Sequence, residues 1–391
     1  MNYAKGENSM RTSYLAIVAL LCGCFPFLYA KVPGERNELK ELCYHQGELV
    51  DTIVCHFEGN PACIYEPTPT YRKQEGRSQA TFFLPFAYMS NTTLQRVVNQ
   101  INTAGKEGYT IALEPVTKPI RGLRLRIVYN PGKVGWEYGP LDISHKQRGL
   151  IFKIYNKELL RTIGEKTSPL RWYAQAKHQP RIVVDSASIR HTTGQRDSAA
   201  SMAAHIASFL RSHGCEVLIS SHTDRNVSPG IRASYANLYA HADLLLSLSM
   251  SPLKQVEVFT LSPALLKVRQ STLTDDEQAR IGHIIKWVHV QSALLETALD
   301  EKLQPFTKKQ EVPLLKGTTQ NRYSEVLLGA EMPALCVQLG ISDTHRGESY
   351  YTSLAQAIGS GILLYISEKK FLKTLYKDKR YGKLKVIMRQ T

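Results

Sequence analysis

The sequence lacks the motifs that identify several common classes of metal-binding, nucleophilic and membrane-anchored proteins. None of its 7 cysteines stands in the Cys-x-x-Cys or Cys/His spacing of a zinc finger. No Gly-x-Ser-x-Gly elbow, the motif of serine hydrolases, surrounds Ser188 or Ser249. The apolar run from Leu15 to Leu21 is too short to span a bilayer. These absences argue against a zinc finger, an α/β-hydrolase and a transmembrane anchor at this position.

Acidic residues are scarce relative to basic ones. The chain has 34 Asp and Glu against 49 Lys and Arg, which gives a formal net charge of +15. Such a charge favours an anionic partner, and nucleic acid is the usual one. The N-terminal segment described next indicates export, where nucleic acid is seldom met. We therefore expect an anionic envelope polymer or a phospholipid surface rather than nucleic acid.

Residues 1–30 have the pattern of a secretory signal peptide. Lys5 and Arg11 precede the apolar core, and Leu28–Tyr29–Ala30 resembles a small-residue cleavage site. The run from Leu21 to Cys24 also allows a lipoprotein in which Cys24 is lipidated. The sequence therefore predicts an exported protein of the periplasm or cell envelope, either soluble or lipid-anchored.

Five cysteines follow the predicted signal peptide. Cys43, Cys55 and Cys63 lie in a turn-rich segment, so one local disulfide among them is plausible in an exported chain. Their pairing stays open. Cys215 and Cys336 lie in apolar, strand-like runs and are expected to be small buried hydrophobes.

Residues 31–163 are predicted to form a small β-rich domain. The segment 31–75 shows no clear period, whereas Leu123, Leu125 and Ile127 alternate with polar residues as in a strand with one buried face. A short helix is expected from Leu94 to Ile101. Trp136 and Tyr138 are candidates either for a glycan-facing surface or for core packing.

A polar, proline-bounded linker is predicted at 164–180, followed by an α/β domain at 181–367 and a basic tail at 368–391. In the α/β domain, strands alternate with amphipathic helices, and Thr274 with Glu277 forms a capping box. This order predicts a mostly parallel sheet with helices on both faces. The tail is either a charged attachment site or a solvated end.

The first strand of this domain, Arg181–Asp185, is followed by a polar loop and a helix with an apolar face. In parallel α/β sheets, functional sites lie beyond the carboxyl ends of the strands. We therefore expect the site in this loop and in the corresponding loops of neighbouring strands.

Five segments in this domain resemble one known family, in its order and at about its spacing. They are RIVVDSAS, GQRDSAASMAAHIASFL, CEVLISSHTDRNV, ADLLLSLS and MPALCVQLGISD, within residues 180–367. The family is that of the zinc-dependent N-acetylmuramoyl-L-alanine amidases (type 3), which cut peptidoglycan. The β-rich domain occupies the place of the wall-targeting β-sandwich often found before these amidases.

The resemblance implies a site at which the working residues are replaced. The family's three zinc ligands fall on Ser188, Gln195 and Ser249, and its general base falls on Gln338. Hydroxyl and amide groups are poor zinc donors compared with imidazole and carboxylate. A glutamine also cannot take a proton as a glutamate does. With Asp185, these four residues are therefore expected to form a binding pocket without zinc or another cofactor.

The sequence favours the first of three functions, and the other two are alternatives. The first is a non-catalytic peptidoglycan-binding or regulatory protein, a pseudoenzyme that would recruit or control an active amidase or a divisome protein. The second is an active amidase with displaced zinc ligands, for which the candidates are His191, His222, His241 and Asp197. The third is an envelope scaffold in which the cleft has no role. A serine hydrolase that pairs Ser188 or Ser249 with His191 is the weakest alternative.

Overall fold

The computed structural model describes residues 37–58, 63–67, 76–90, 108–118, 120–142, 147–166, 179–186, 193–220, 227–251, 255–261, 268–316, 324–340 and 348–377. The predicted signal peptide, the helix Leu94–Ile101, most of the linker, Ser188 and the last part of the tail lie outside these residues. Within them, no helix combines the length and the apolarity needed to cross a membrane.

Strands dominate the first part of the chain, and strands and helices alternate in the second. The strands of the first part are β1 (Asn37–His45), β2 (Val50–Glu58), β3 (Ile64–Pro67), β4 (Ser78–Pro85), β5 (Ala87–Tyr88), β6 (Tyr109–Val116), β7 (Gly122–Tyr129), β8 (Val134–Asp142) and β9 (Gln147–Asn156). There follow α1 (Lys157–Lys166), β10 (Arg181–Ser186), α2 (Thr193–Ser212), β11 (Glu216–Ile219), α3 (Pro229–Ser234), a π-helical turn (Tyr235–Tyr239), β12 (Leu244–Ser251) and β13 (Val256–Phe259). The last elements are β14 (Gln270–Ser271), α4 (Asp275–Gln310), β15 (Leu314–Lys316), α5 (Glu325–Leu328), β16 (Ala334–Gly340) and α6 (Glu348–Lys377).

The first part is a sandwich of two sheets. One has the order β14-β8-β9-β2-β1-β5 and the other the order β3-β4-β7-β6. Their facing side chains form one core, in which the Phe82 ring centroid lies 5.1 Å from that of Trp136 and 5.0 Å from that of Phe152. Trp136 is 1% exposed and Tyr138 is also buried, so both are packing residues. The alternative of a glycan-facing surface at these two residues is therefore wrong.

The strands β1 and β2 fall in the segment where the sequence shows no clear period. Both have a neighbouring strand on each side, because β2 pairs with β1 and β9, and β1 pairs with β2 and with the short strand β5. One face of the pair packs in the sandwich core, and the other face packs on the second part of the chain. A strand that is buried on both faces loses the alternation by which a strand is recognised in a sequence.

The second part is the predicted α/β unit. Its sheet has the order β11-β10-β12-β16-β13-β15. The strands β11, β10, β12 and β16 run parallel, whereas β13 is antiparallel to β16 and parallel to β15. The sheet is thus mixed: its first four strands in the spatial order, β11, β10, β12 and β16, are parallel to one another. The helices α2, α4 and α6 cover one face, and α3, the π-helical turn and α5 lie on the other.

Two local predictions in this part are confirmed. Thr274 accepts from the Glu277 N–H, and the Glu277 side chain accepts from the Thr274 N–H, which completes the capping box of α4. The helix α6 carries the predicted apolar stripe of Leu354, Ile358 and Ile362 into the core. Its backbone continues to Lys377, so the first ten residues of the basic segment, 368–377, are helical.

The outer face of the β14–β5 sheet packs against the α3 and α5 side of the second part. The Glu331 carboxylate accepts the backbone N–H groups of Glu48, Leu49 and Val50 at 2.7, 2.9 and 2.7 Å. A Cβ at Gly329 would overlap the ring of His45. Strand β14 also joins the first sheet, although it lies in the predicted α/β domain. The domain boundaries at 163 and 181 stay a prediction.

Two of the three thiols of the first part, those of Cys43 and Cys55, lie on opposite faces of the sheet. Cys43 lies opposite Val54, and Leu42 lies opposite Cys55, so Cys43 and Cys55 point to opposite faces of the sheet. A disulfide between these two residues is therefore excluded by the register. Cys43, Cys55 and Cys63 are free thiols in this structure, as are Cys215 and Cys336, which are buried as expected.

Candidate functional site

The strand register brings the described candidate residues onto one face of the second sheet. Asp185 on β10 lies beside Ser247 on β12, and Ser249, further along β12, lies beside Gln338 on β16. Because side chains alternate along a strand, Asp185, Ser247, Ser249 and Gln338 share a face. This is the face of α3 and α5, opposite the larger core under α2, α4 and α6. The structure thus places Asp185, Ser249 and Gln338 in one row near the carboxyl ends of the parallel strands.

Asp185 is completely buried, and its carboxylate is fully engaged. Ser220 donates to Oδ1 at 2.6 Å, Ser247 donates to Oδ2 at 3.0 Å, and the Arg232 guanidinium of α3 lies 2.7 Å from Oδ2. A buried carboxylate with a cation and two hydroxyl donors is compensated in both charge and hydrogen bonding. Asp185 therefore holds β10, β12 and α3 together through these contacts and is not a free acid or base.

Ser249 and Gln338 bring neutral groups to the site. Ser249 is buried, and its Oγ lies 3.5 Å from Sγ of Cys336 on the next strand. Burial raises the pKa of Cys336 to about 12, so the thiol is neutral at physiological pH. Gln338 is half-buried. This part of the row can donate and accept hydrogen bonds, but it carries no charge and no imidazole.

Glu257 is a buried carboxylate at this site that the sequence reasoning missed. It lies on β13 directly opposite Gln338 and is 1% exposed. Its negative charge contributes to the raised pKa of Cys336. A charged residue in the middle of the apolar strand Val-Glu-Val-Phe was the available signal. It adds a carboxylate to the row at a position to which the family resemblance assigns no role.

The remaining candidates are only partly placed. Ser188, His191 and His222 lie outside the described residues. Gln195 and Asp197 lie in the first turns of α2, where the structure describes the backbone. His241 lies just before β12 and pairs with Glu48 at 2.8 Å. It is therefore at the amino edge of the sheet, away from Ser249 and Gln338, and is wrong as a displaced ligand for this site.

The described donors do not fit the zinc ion that the family resemblance implies. Catalytic zinc sites use three imidazole, carboxylate or thiolate ligands and an open position. Ser249 supplies a hydroxyl and Gln338 an amide, while Asp185 is already held by Arg232. At the family's ligand and general-base positions that the structure describes with side chains, Ser249 and Gln338, neither group has the donor chemistry of a zinc ligand or a general base.

A cavity of about 140 Å³ lies on the same side of the sheet, but at the amino ends of the parallel strands. It is bounded by the starts of β12 and β16, by the helix α4 and by the outer face of β2 and β9. Trp287, His289, Lys153 and Glu331 are among its lining residues. The cavity is therefore a feature of the contact between the two parts and not the cleft at the strand ends.

The fold and the row of polar residues define a mixed α/β protein. No known protein-family model matches the chain, and no curated protein matches it. Among solved structures, it is similar to the N-acetylmuramoyl-L-alanine amidase AmiC2 of Nostoc punctiforme, with 16% identity, a TM-score of 0.34, and coverage of 49% of this chain and 98% of that one.

Two further solved structures show the same degree of similarity. The catalytic domain of CwlV, an N-acetylmuramoyl-L-alanine amidase from Bacillus (Paenibacillus) polymyxa var. colistinus, is 15% identical with a TM-score of 0.34, over 48% of this chain and 99% of that one. Cwp6 from Clostridium difficile is 17% identical with a TM-score of 0.34, over 49% of this chain and 30% of that one.

Proposed function

We propose that the chain is an exported, non-hydrolytic amidase-like protein that binds peptidoglycan or a similar anionic envelope polymer. The observation that supports this proposal is the composition of the strand-end row, the side chains of Asp185, Ser249, Gln338 and Glu257 near the carboxyl ends of the parallel strands. Where an amidase needs imidazole and carboxylate, the row offers Ser249 and Gln338, and Asp185, one of the two acids described there, is bound to Arg232. Such a site can hold a sugar or a peptide by hydrogen bonds, but it cannot generate a hydroxide nucleophile.

The charge of the chain supports the choice of polymer. The formal net charge is +15, and nine Lys and Arg residues lie in the last 25 residues of the sequence. Lys and Arg charges attract a polyanion over a distance of about 8 Å at physiological ionic strength. Binding that depends on them should weaken as the salt concentration rises. The proposed roles are to hold glycan at the envelope or to recruit or control an active amidase or a divisome protein.

One observation favours the second candidate, an active amidase with displaced ligands. Glu257 places a buried carboxylate opposite Gln338, where it could replace the acid that Gln338 lacks. This candidate predicts zinc-dependent release of stem peptide from peptidoglycan, and a loss of that release in Glu257→Gln. The non-hydrolytic proposal predicts no release from either protein.

Sedimentation with purified peptidoglycan tests the binding proposal. The mature chain should pellet with the polymer at low salt and be released as salt is added. Deletion of 368–391 should weaken pelleting and flatten its dependence on salt. A chain with the tail residues in scrambled order is the matched control, because it keeps the charge, and it should pellet as the wild type does. The binding proposal is wrong if the intact chain fails to pellet even at low salt.

A further inference from the structure

A compact group of sulfur, nitrogen and oxygen donors lies away from the strand-end row, where the two parts of the chain meet. Cys43 of β1, His56 of β2 and Glu325 of α5 place one ligand atom each within 4.8 Å of one another. Cys43 Sγ lies 3.3 Å from Glu325 Oε2, and His56 Nε2 lies 2.6 Å from Glu325 Oε1. The thiol is fully buried, and the other two side chains are mostly buried.

The strand register explains why these groups meet. Cys43 lies opposite Val54, and Glu41 lies opposite His56, so Cys43 and His56 share the outer face of the sheet. Glu325 is the first residue of α5, which packs against that face through Leu328. The three side chains are 13 and more residues apart in sequence and belong to both parts of the chain, so only the folded molecule brings them together.

A second histidine at this place is buried without a hydrogen-bond partner. His45 is 1% exposed, and neither of its ring nitrogens has a partner among the described residues. It lies on the same face of β1 as Cys43, and its ring packs against Gly329, which caps α5. Unsatisfied buried polar groups are rare in native proteins and call for a physical reason such as an unseen ion.

We propose that Cys43, His56 and Glu325 bind one Zn²⁺ ion, which joins the β-sandwich to the α/β part, with the unpartnered His45 beside the three ligands. The set contains one thiolate, one imidazole and one carboxylate, which suits borderline-soft zinc better than Mg²⁺ or Ca²⁺, which prefer oxygen ligands alone. An ionised Cys43 and an ionised Glu325 together balance the two positive charges of the ion.

The geometry needs only small side-chain movements. A tetrahedral zinc ion with bonds of about 2.0–2.3 Å separates its ligand atoms by about 3.3–3.7 Å. The separation of 3.3 Å between Cys43 Sγ and Glu325 Oε2 already matches this range. The His56–Glu325 contact of 2.6 Å would have to open by about 1 Å. On binding, the Cys43 thiol loses its proton to solvent, and the hydrogen shared by His56 Nε2 and Glu325 leaves these two atoms, either to solvent or, as a tautomer change, to His56 Nδ1. The ion takes the place of both hydrogens.

This site is independent of the proposed wall-binding function and of the family's zinc position. A zinc ion held at Ser188, Gln195 and Ser249 would have no thiolate ligand. An ion at the proposed site has one, which gives a spectroscopic signature when Co²⁺ replaces zinc. The signature is an intense near-ultraviolet band from thiolate-to-metal charge transfer.

The test is a Co²⁺ and Zn²⁺ titration of the full mature chain, stripped of metal and kept reduced. We expect one equivalent of Co²⁺, a thiolate charge-transfer band, and loss of that band when Zn²⁺ is added. Cys43→Ser should abolish the band, and Glu325→Gln should weaken binding by about 10-fold or more. Cys55→Ser is the matched control, because Cys55 is buried in the neighbouring strand but faces the other side of the sheet.

Two outcomes would overturn the proposal. One is a wild-type chain that shows no charge-transfer band at one equivalent of Co²⁺. The other is a band that persists in Cys43→Ser. The first measurement uses the wild type alone, so it decides the question even if a variant does not fold. Zinc should also raise the melting temperature of the wild type and of Cys55→Ser, but not that of Cys43→Ser.

Discussion

Glu331 should make the stability of the protein depend on pH in an unusual direction. Burial raises the pKa of its carboxyl from 4.5 to about 7, despite the three backbone N–H groups that it accepts from Glu48, Leu49 and Val50. A carboxyl whose pKa is raised by folding stabilises the native state fully below its unfolded pKa. That contribution is lost as the pH rises from 4.5 towards 7.

The size of the effect follows from the displacement of the pKa. At about 1.4 kcal/mol per pH unit, a change from 4.5 to about 7 corresponds to about 3 kcal/mol. Part of the residue reaches solvent, which reduces the value to about 2 kcal/mol. Glu331→Gln removes this dependence. It also leaves the Glu48 N–H facing an amide nitrogen, which costs about 1–3 kcal/mol at every pH.

Urea unfolding of the wild type and Glu331→Gln at several pH values between 4.5 and 7.5 measures this effect. The stability advantage of the wild type over the variant should shrink by about 2 kcal/mol over that range, with an unchanged denaturant dependence. Glu301→Gln, at an exposed position on α4, is the control and should show no such change. An advantage that stays constant or grows with pH would refute the reasoning, because it would mean that the three N–H donors outweigh burial.

Three further predictions concern the packing of the two parts. Arg232→Ala should lower the free energy of unfolding by about 3–5 kcal/mol, because it leaves Asp185 buried without its cation. Adding Asp185→Asn should recover part of this loss in the same urea assay, and equal stability of the single and double variants would contradict this prediction. Gly329→Ala should destabilise the protein by about 1–3 kcal/mol, since the added Cβ would overlap the His45 ring, and an unchanged stability would contradict this close contact. Gly282→Ala, on the open side of α4, should instead stabilise the protein by about 0.5–1 kcal/mol. Limited proteolysis should cut first between Gly164 and Pro180, and the fragments should co-elute in size-exclusion chromatography because the Glu331 contacts hold them together; first cuts elsewhere would count against two domains.

Local chemistry made most of the second part predictable from the sequence. The strand Arg181–Ser186 and the helix that carries Met202, Ile206 and Leu210 have the periods of a buried strand and an amphipathic helix, and both occur where expected. The Thr274–Glu277 capping box is a short-range pattern, and the structure contains it. These elements are specified by neighbours within a few residues, so a single sequence suffices.

The missed features depend on contacts between distant residues. Strands β1 and β2 have no visible alternation because they are covered on both faces, one of them by the second part of the chain. Glu257 belongs to the strand-end row only because β13 pairs antiparallel with β16. The Cys43, His56 and Glu325 group requires α5 to pack on the sandwich. No local period or motif carries this information.

The central claim is that the strand-end row binds but does not hydrolyse, and amide-bond cleavage tests it most directly. Purified peptidoglycan would be incubated, with and without zinc, with the wild type and with one quadruple variant. The variant combines Ser188→His, Gln195→Glu, Ser249→His and Gln338→Glu. The newly freed amino groups of the stem peptides would be measured. We expect no release by the wild type in either condition, and one more equivalent of bound zinc in the variant than in the wild type. Zinc-dependent release of stem peptide by the wild type would contradict it.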